Sequence, residues 1–569
     1  MTTHRDPSAL DPRLLERARR WALEEPDARH AATLTAELEA AEGGDAAAAA
    51  AVRSRFSGPL AFGTAGLRAE EGAGESRMNR LVVRRAAAGI ARYLADTLGE
   101  DEAAASVVIG YDARHGSASF ARDSAGVFTA AGAQVTLLPG PLPTPVLAFL
   151  VRHLGADAGV MVTASHNPPA DNGYKVYLGG RMTDAAGRGA QIVSPADADI
   201  AARIDHGAWF ADIPMANTGW DVASEELVEA YSGAALGVLD EGRRESTGRD
   251  ALSIVYTPLH GVGGAVLPGL LDRAGFTDVH VVPRQADPDP DFPTVAFPNP
   301  EEPGALDLAF EAAAERAADL VIANDPDADR LALAAADADG TWRMLSGDQV
   351  GSLLGAHLMP RLEAMGRSAA CSIVSSPQLS RLAAEAGVDH HATLTGFKWI
   401  SRAPEIGYGY EEALGYCVAP DLVRDKDGMT AALVAADLAA GLKSEGRTLW
   451  DALADLDSLT GAMPSTQVSV RVSDLQVISA AMARLRADGI AELAGDPVTV
   501  STDLAEGSAD LPPTDGLLFA TDTGTRVVIR PSGTEPKLKC YLGTTDADPQ
   551  AARARLDAVR EQIAALVAG

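Results

Sequence analysis

Short apolar runs alternate with helical patterns through most of the chain. A helical period at residues 78–98 is followed by an apolar run at residues 106–110, and a second helix and strand occupy residues 120–138. Similar apolar runs recur later, at residues 252–256, 319–323 and 371–374. Strands that alternate with helices at this spacing predict parallel sheets with right-handed crossover connections. The pattern therefore predicts an α/β fold for the larger part of the chain.

The two ends of the chain depart from this alternation. Residues 1–55 are predicted to be helical, because Leu14, Ala18 and Trp21 keep a helical period and an Ala/Glu-rich segment follows. Residues 466–569 begin with the alternating valines of a half-buried strand and close with a long helical pattern. We expect an N-terminal helical extension and a smaller C-terminal α+β domain.

Three loops share one position in the pattern. The loops at residues 110–114, 257–261 and 375–378 each follow an apolar strand and precede a helix, which indicates three copies of one domain plan. A length of 569 residues also requires several domains. The predicted divisions are a helical extension (1–55), three α/β domains (56–223, 224–344 and 345–462) and an α+β domain (463–569).

The charge balance restricts the partners of this chain. Its formal net charge of −31 repels phosphate backbones and anionic lipid, so we expect no nucleic-acid partner and no membrane partner. An anionic small substrate would need a local basic pocket. The three cysteines are far apart and suit no metal site, and the N-terminus lacks an apolar signal segment. We therefore expect reduced thiols and a cytoplasmic location.

The first candidate site is the loop at residues 162–175, which reads V-T-A-S-H-N-P-P-A-D-N-G-Y-K. Its prolines, asparagine and glycine exclude a helix or a central strand, so Ser165 is predicted at the tip of a constrained loop. His166 is adjacent and Lys175 follows the turn, so a hydroxyl, an imidazole and an ammonium can share one small volume, as an activated nucleophile requires. The alternative is an ordinary turn with local hydrogen bonds.

The second candidate site contains three carboxylates at the end of a predicted strand: Asp325, Asp327 and Asp329. Carboxylates this close repel one another unless a cation holds them, and hard divalent ions prefer oxygen ligands. A calcium-binding EF-hand loop would need Gly where Arg330 stands and Glu where Ala336 stands, so that class of site is rejected. Three protein ligands suit Mg²⁺, which would complete its coordination with water or a phosphate oxygen. The alternative is a solvated acidic turn.

Further candidate residues could bind a phosphorylated sugar. Arg530 can hold a phosphate through two parallel hydrogen bonds, and Ser532, Thr534 and the amides around Gly533 add donors. Glu411 offers acceptors for sugar hydroxyls, although an acidic pair is also typical of a helix start. Two further cations, Lys398 and Lys426, are expected near the cleft that these groups would line.

Four segments, taken in order, resemble the signature loops of the α-D-phosphohexomutase family: residues 163–168, 325–330, 410–416 and 530–536. The resemblance extends from about residue 55 to the end of the chain. It implies a four-domain architecture, in which three related α/β domains and a smaller C-terminal α+β domain each contribute one loop to a central cleft.

The resemblance also implies roles for individual residues. Ser165 would be the serine that is phosphorylated in the resting enzyme, and one Mg²⁺ would be held by Ser165, Asp325, Asp327 and Asp329. The positions around the transferring phosphate are matched by Arg68, His166, Lys175 and Arg330. Glu411 would bind sugar hydroxyls, with Lys398 and Lys426 nearby. The distal phosphate would be bound by Arg530, Ser532, Gly533 and Thr534.

The implied activity is that of an intramolecular phosphotransferase. Such an enzyme would interconvert glucose 1-phosphate and glucose 6-phosphate through an enclosed bisphosphate, with glucose 1,6-bisphosphate or a similar sugar bisphosphate as activator. One residue departs from the family pattern: Ala413 stands where many members have serine, as in a branch some of whose members prefer pentose phosphates. Phosphopentomutase and phosphomannomutase activities are the alternatives, and a non-catalytic sugar-phosphate sensor is the alternative of another class. We expect a monomer or a homodimer.

Overall fold

The computed structural model describes residues 10–63, 66–99, 103–239, 248–472, 475–508, 511–532 and 537–568. Within these ranges the chain forms four β-sheets that pack against helices, preceded by a group of N-terminal helices. This arrangement confirms the predicted class of three α/β units and a smaller α+β unit. Among the described helices, none combines the length and the apolar character needed to cross a bilayer.

The N-terminal extension consists of α1 (Pro12–Glu24), α2 (Ala28–Glu42) and α3 (Ala46–Arg55). Each helix begins after an aspartate whose carboxylate accepts hydrogen bonds from the first free backbone N–H groups. The indole ring of Trp21 is buried and meets Phe56 and Trp209 edge to face, at centroid distances of 5.7 and 5.5 Å. These contacts attach the extension to the first α/β unit.

The first unit has strands β1 (Leu67–Glu70), β2 (Ser106–Tyr111), β3 (Gln134–Leu137), β4 (Ala158–Val162), β5 (Asp171–Leu178), β6 (Ala190–Gln191) and β7 (Asp221–Val222). Its helices are α4 (Arg80–Leu98), α5 (Ser117–Ala130), α6 (Thr144–His153) and α7 (Ala196–Ala201). The sheet order is β1-β5-β4-β2-β3-β7, and β6 pairs with β5.

The first sheet is mixed, whereas the sequence predicted a parallel one. Strand β2 is parallel to β3 and β4, but β5 is antiparallel to β4 and to β1. The segment from Val162 to Asp171 is too short for a crossover, so the chain must return beside β4 as a hairpin. The residues between β4 and β5 form the loop of Ser165.

The second unit contains α8 (Glu225–Leu236), β8 (Ser253–Thr257), α9 (Leu267–Ala274), β9 (Asp278–Val281), α10 (Asp307–Arg316), β10 (Leu320–Ala323), β11 (Ala332–Ala336) and β12 (Trp342–Met344). Its sheet order is β12-β11-β10-β8-β9, with β8 parallel to β9 and β10. Strand β11 is antiparallel to β10 and β12, so this sheet is also mixed and not parallel as predicted. Strand β10 is fully buried and leads directly into the three aspartates.

The third unit contains α11 (Gly347–Met365), β13 (Ser368–Ser372), α12 (Gln378–Glu385), β14 (His390–Thr393), α13 (Phe397–Ile400), β15 (Ile406–Glu411), β16 (Gly415–Cys417), α14 (Gly428–Ser444) and α15 (Leu449–Thr460). Its sheet order is β14-β13-β15-β16, and the turn between β15 and β16 carries Glu411 to Leu414. A continuous apolar cluster joins the first three units, and Phe149 of α6 meets Tyr231 of α8 at 5.7 Å within it.

The fourth unit contains β17 (Ser465–Arg471), α16 (Leu475–Asp488), β18 (Glu492–Leu493), β19 (Asp496–Asp503), β20 (Leu517–Thr521), β21 (Arg526–Pro531), β22 (Lys537–Gly543) and α17 (Pro549–Ala568). Its strands pair antiparallel in the order β17-β22-β21-β20-β19-β18. Arg526 of β21 donates hydrogen bonds to the carbonyl oxygens of Ile373 and Ser375, so the fourth unit packs directly on the third.

Candidate active site

Ser165 lies at the tip of the loop between β4 and β5, where it is buried. Its hydroxyl donates a hydrogen bond to Oδ2 of Asp325 at 2.7 Å, although the two residues are 160 positions apart in sequence. Its backbone N–H donates to Oγ1 of Thr163 at 2.9 Å. The φ angle of Ser165 is 52°, a left-handed conformation that costs about 1–3 kcal/mol for a residue with a side chain. The nucleophile candidate therefore occupies a strained turn that faces the acidic loop.

Asp325, Asp327 and Asp329 form a single fully buried cluster after β10. One ligand oxygen from each lies within 4.8 Å of the others. Oδ1 of Asp327 and Oδ1 of Asp329 are buried and have no hydrogen-bond partner among the described residues. Unpartnered carboxylate oxygens at this spacing fit a small divalent cation with oxygen ligands, such as Mg²⁺. The donor set thus agrees with the metal site expected from the sequence.

The three carboxylates differ in how easily they ionise. Burial and the neighbouring Asp327 and Asp329 raise the pKa of Asp325 well above its usual value. Burial also opposes ionisation of Asp329, but Lys175 and Lys426 outweigh it and hold the pKa of Asp329 below its usual range. A cation bound to the cluster would offset the repulsion that disfavours the ionised form of Asp325.

Two lysines supply positive charge on one side of the cluster. Nζ of Lys175 lies 2.7 Å from an oxygen of Asp327 and 2.7 Å from an oxygen of Asp329. Nζ of Lys426 lies 3.3 Å from Asp329 and 3.6 Å from Asp425. Burial disfavours the charged form of both lysines, but these carboxylates dominate and raise both pKa values. Both side chains are therefore cations at neutral pH.

Arg330 connects the acidic loop to the turn that carries Glu411. Its guanidinium donates a hydrogen bond to the carbonyl oxygen of Ala413, and its Nε lies 3.8 Å from Asp325. The backbone adds a bridge between Arg330 and Gly415. Burial lowers the pKa of Arg330, but Glu411 and the nearby aspartates outweigh it and raise it. The second and third units therefore meet at a permanently charged guanidinium.

Arg68 and His166 are half-buried near the same loop. Nη1 of Arg68 donates to the side-chain oxygen of Asn167 at 3.2 Å. Burial, together with the charges of Arg330 and Arg68, lowers the pKa of His166 well below its usual value, so its imidazole is neutral at pH 7. Nδ1 of His166 has no hydrogen-bond partner among the described residues. Both side chains retain polar atoms that a bound phosphate could engage.

The acidic pair on the turn after β15 divides into two environments. The carboxylate of Glu412 accepts hydrogen bonds from the hydroxyls of Ser372 and Ser375, each at 3.1 Å. Burial and the neighbouring Glu411 raise the pKa of Glu412 to about 7. Glu411 instead lies near the charges of Arg330 and Lys426, whose pKa values it raises. Glu411 is thus the carboxylate that sits beside the metal-site candidate.

The fourth unit brings Arg530 to the side of the cleft formed by α13. Burial lowers the pKa of Lys398, the charge of Asp197 opposes this, and the charge of Arg530 lowers the pKa further. Burial and the charges of Glu412 and Glu411 raise the pKa of Tyr541 in β22, and the nearby Arg530 opposes this rise. Ser532 is half-buried at the end of the same strand region, and its N–H donates to the carbonyl oxygen of Lys537 at 2.8 Å. Gly533 and Thr534 lie outside the described residues.

Two residues with no role assigned from sequence contact the site. Oγ1 of Thr144, at the start of α6, donates to Oδ2 of Asp327 at 2.6 Å. Arg114, after β2, donates to several carbonyl oxygens of the Ser165 loop. The signal for Thr144 was a hydroxyl between two prolines, and that for Arg114 was a charged residue at the carboxyl end of a buried strand. Neither pattern identifies a site residue until the folded structure shows which residue it contacts.

Four consecutive segments of the chain match the four domains of one protein family. They are the phosphoglucomutase/phosphomannomutase alpha/beta/alpha domains I, II and III, at residues 59–208, 239–340 and 346–458, and the C-terminal domain of that family, at residues 468–562. The chain therefore belongs to the phosphoglucomutase/phosphomannomutase family, the α-D-phosphohexomutases. It is a phosphomutase, an isomerase that acts by intramolecular phosphoryl transfer.

Similar proteins carry the names of several mutases. A probable phosphomannomutase of Haemophilus influenzae is 47% identical over 475 residues, which cover 83% of this chain and 94% of that protein. A probable phosphoribomutase of Schizosaccharomyces pombe is 38% identical over 529 residues, 85% of this chain and 86% of that protein. A phosphoglucomutase of Staphylococcus haemolyticus is 35% identical over 515 residues, 86% of this chain and 90% of that protein. These names agree on the reaction and differ in the sugar.

The fold agrees with a solved member of the family. The crystal structure of a phosphoglucomutase/phosphomannomutase family protein from Burkholderia thailandensis superposes with a TM-score of 0.65, covering 89% of this chain and 97% of that one. Its sequence identity is 21%, so the likeness concerns the fold alone.

Proposed function

We propose that this phosphomutase interconverts glucose 1-phosphate and glucose 6-phosphate through a phosphorylated Ser165. The observation that carries the proposal is the 2.7 Å hydrogen bond from Ser165 to Asp325 within a buried acidic cluster. The same serine, once phosphorylated, would place its oxygens where a cation on the three aspartates could bind them.

In this proposal Asp325, Asp327, Asp329 and a phosphoserine oxygen would hold one Mg²⁺. When bound, the ion would neutralise negative charge on the transferring phosphoryl group. The cationic side chains supply the remaining charge around that group: Arg68, Lys175 and Arg330. Phosphoryl transfer through a loose transition state depends chiefly on positioning and charge stabilisation, which cations held in place by the fold provide. His166, being neutral, can donate or accept a hydrogen bond at the edge of the site.

The reaction would proceed in two transfers. First, the free hydroxyl of the sugar monophosphate attacks the phosphorus on Ser165. A new sugar O–P bond forms, the Oγ–P bond breaks, and the proton of the sugar hydroxyl ends on the released Ser165 oxygen, so the serine becomes a free hydroxyl. The resulting bisphosphate turns over in the cleft, and its other phosphate returns to Ser165. The net result moves the phosphate between the two ends of the sugar and restores the phosphoserine.

The bisphosphate binds in one orientation before it turns over and in the other afterwards. Both orientations require a second phosphate site that tolerates either end of the sugar. Arg530, Lys398 and the loop with Ser532, Gly533 and Thr534 would form that site. Support comes from the charge of Arg530 in the fourth unit, which is near enough to Lys398 of the third unit to lower its pKa. Glu411 would accept hydrogen bonds from sugar hydroxyls, and Lys426 beside it would help orient the ring. The negative balance of the whole chain makes this local group of cations distinctive.

A pentose phosphate is the second candidate substrate. The turn after Glu411 presents the methyl group of Ala413, so it lacks the hydroxyl found there in many members, and its carbonyl oxygen is already bound by Arg330. Fewer donors on this turn would weaken selection for a hexose ring. The similar protein of Schizosaccharomyces pombe named as a probable phosphoribomutase supports this alternative.

The test compares kcat/KM for the 1-phosphates of glucose, mannose, ribose and deoxyribose, with Mg²⁺ and the matching bisphosphate present. We expect the highest value for glucose 1-phosphate and no turnover by Ser165→Ala. A Ser458→Ala control, on the exposed face of α15, should retain full activity. Highest turnover with a pentose phosphate would replace the proposed sugar, and full activity of Ser165→Ala would refute the phosphoserine pathway.

A further inference from the structure

The backbone at Ser165 needs external support. A φ angle of 52° is uncommon for a residue with a side chain, and such a conformation persists only where the surrounding structure holds it. Two prolines follow within the loop, which limits the local hydrogen bonds that its own backbone can make. The residues that hold this loop therefore decide where the serine hydroxyl points.

Most of that support comes from one buried guanidinium. Arg114 is 3% exposed, and its two terminal nitrogens donate four hydrogen bonds to backbone oxygens of the serine loop. The acceptors are the carbonyls of Ser165 and Asn167, both at 2.7 Å from Nη2, and those of Pro168 and Asp171, at 2.7 and 2.9 Å from Nη1. Because the guanidinium is planar and rigid, these oxygens are fixed relative to one another.

Asp112 fixes the guanidinium in turn. One of its carboxylate oxygens lies 3.3 Å from Nε of Arg114, and the other accepts the backbone N–H of Arg114 at 3.0 Å. Oδ1 of Asp112 also accepts a hydrogen bond from the hydroxyl of Ser117, which holds the carboxylate in place. The pair Asp112 and Arg114 thus supports the serine loop from the loop after β2.

The second unit covers this assembly. The ring centroid of Phe292 lies 5.2 Å from Cζ of Arg114, within the range of a cation–π contact. Beside it, Nε2 of His115 lies 2.7 Å from Oδ1 of Asp291. Both contacts join the loop after β2 to the segment before α10, so the support for the serine loop includes the unit that carries the three aspartates.

We infer that Arg114 is a positioning residue for the phosphoryl transfer, which sets the backbone of the Ser165 loop and thereby the direction of the serine oxygen toward Asp325. The inference rests on the proposed function for its effect on turnover. Its effect on the loop itself follows from the geometry alone. A lysine at this position would keep the charge but could not form four bonds to carbonyls in fixed directions.

Hydrogen exchange tests the loop directly. In Arg114→Lys we expect the amides of residues 163–171 to exchange at least ~10-fold faster than in the wild type, because opening of the loop no longer breaks the guanidinium contacts. The matched control is Arg85→Lys, which changes an arginine of the same unit that is 5% exposed and donates to the carbonyl oxygen of Ala208. Exchange of residues 163–171 should be unchanged in that control.

Kinetics test the consequence for catalysis. A misplaced nucleophile lowers the rate of transfer by up to about 100-fold, so Arg114→Lys should lower kcat by ~30- to 100-fold and leave KM within ~3-fold of the wild type. A merely structural role would reduce the amount of folded enzyme and leave kcat per folded molecule unchanged. Wild-type exchange at residues 163–171 together with a wild-type kcat would overturn the inference.

The two proposals fail separately. If the wild type turns over no sugar phosphate, the proposed function fails, and hydrogen exchange still decides whether Arg114 holds the loop. If Arg114→Lys does not fold, Asp112→Asn replaces it, since it keeps the side-chain volume while removing the charge that orients the guanidinium. Wild-type exchange of residues 163–171 in that variant would refute the inference.

Discussion

Thr144 offers a sharp test of the metal site, because it contacts the acidic cluster from a different unit of the fold. Its hydroxyl is fully buried and donates to Oδ2 of Asp327 at 2.6 Å, and its backbone N–H donates to the carbonyl oxygen of Asp327 at 3.0 Å. These bonds leave Oδ1 of Asp327 without a partner and hold that oxygen toward the cluster. The change Thr144→Val removes the hydroxyl and keeps the shape of the side chain.

The expected magnitude follows from the hydrogen bond that is lost. A bond to a charged group contributes about 1.5–3 kcal/mol, and residues that orient a metal ligand typically change metal affinity by about 10- to 100-fold. We therefore expect Thr144→Val to bind Mg²⁺ about 10- to 100-fold more weakly. The backbone hydrogen bond to Asp327 remains, so the fold of the acidic loop should persist.

The assay is calorimetric titration of Mg²⁺, supported by the Mg²⁺ dependence of kcat/KM. Thr144→Ser is the matched control, since it keeps the hydroxyl and should retain an affinity close to that of the wild type. An affinity in Thr144→Val within about twofold of the wild type would show that Thr144 does not orient Asp327, and it would refute the reasoning.

Three further predictions concern packing, pH and the metal itself. Gly173→Ala would bring a Cβ atom within 2.5 Å of the carbonyl oxygen of Thr163, so we expect a loss of about 1–3 kcal/mol in unfolding free energy and a lower kcat. The control Gly140→Ala has open space around the new Cβ atom and should be neutral. Equal stability of the two variants would contradict this prediction. Because the pKa of Glu412 is raised to about 7, the folded protein keeps a proton on this side chain up to about pH 7. The unfolded chain releases that proton near pH 4.5, the usual pKa of a glutamate. Stability should therefore fall by up to about 3 kcal/mol as pH rises from 4.5 to 7, and urea titrations of Glu412→Gln should lack this slope. Removal of divalent ions with EDTA should abolish turnover. It should also lower the unfolding free energy by about 2.7 kcal/mol, compared with the protein in Mg²⁺ at 100 times the Kd. An unchanged melting temperature and full activity would exclude the metal site.

Local sequence predicted the class of the fold because each buried strand is a short apolar run bounded by turn residues. Strand β10 shows this clearly: its four residues are all buried, and the polar run of Asp325, Asp327 and Asp329 follows at once. Residues 162–175 were expected to exclude a central strand, and this was wrong for Asn172, Gly173 and Lys175, which lie in β5 between β1 and β4. The antiparallel direction of β5 was not predicted either. It depends on the length of the connection after Val162, and the apolar pattern of a buried strand is the same in either direction.

The sequence by itself determined which chemical groups are available, since a serine shortly before two prolines and three alternating aspartates are visible without any coordinates. Only the tertiary structure decided which groups meet. Ser165 finds Asp325 from 160 positions away, Thr144 finds Asp327 from 183, and Arg114 finds the carbonyl of Ser165 from 51. The first two of these contacts join different units, and the third joins the loops after two neighbouring strands of the first sheet. Hydrogen bonds depend on distances of about 3 Å and on direction, and neither quantity is encoded in the spacing of residues along one chain.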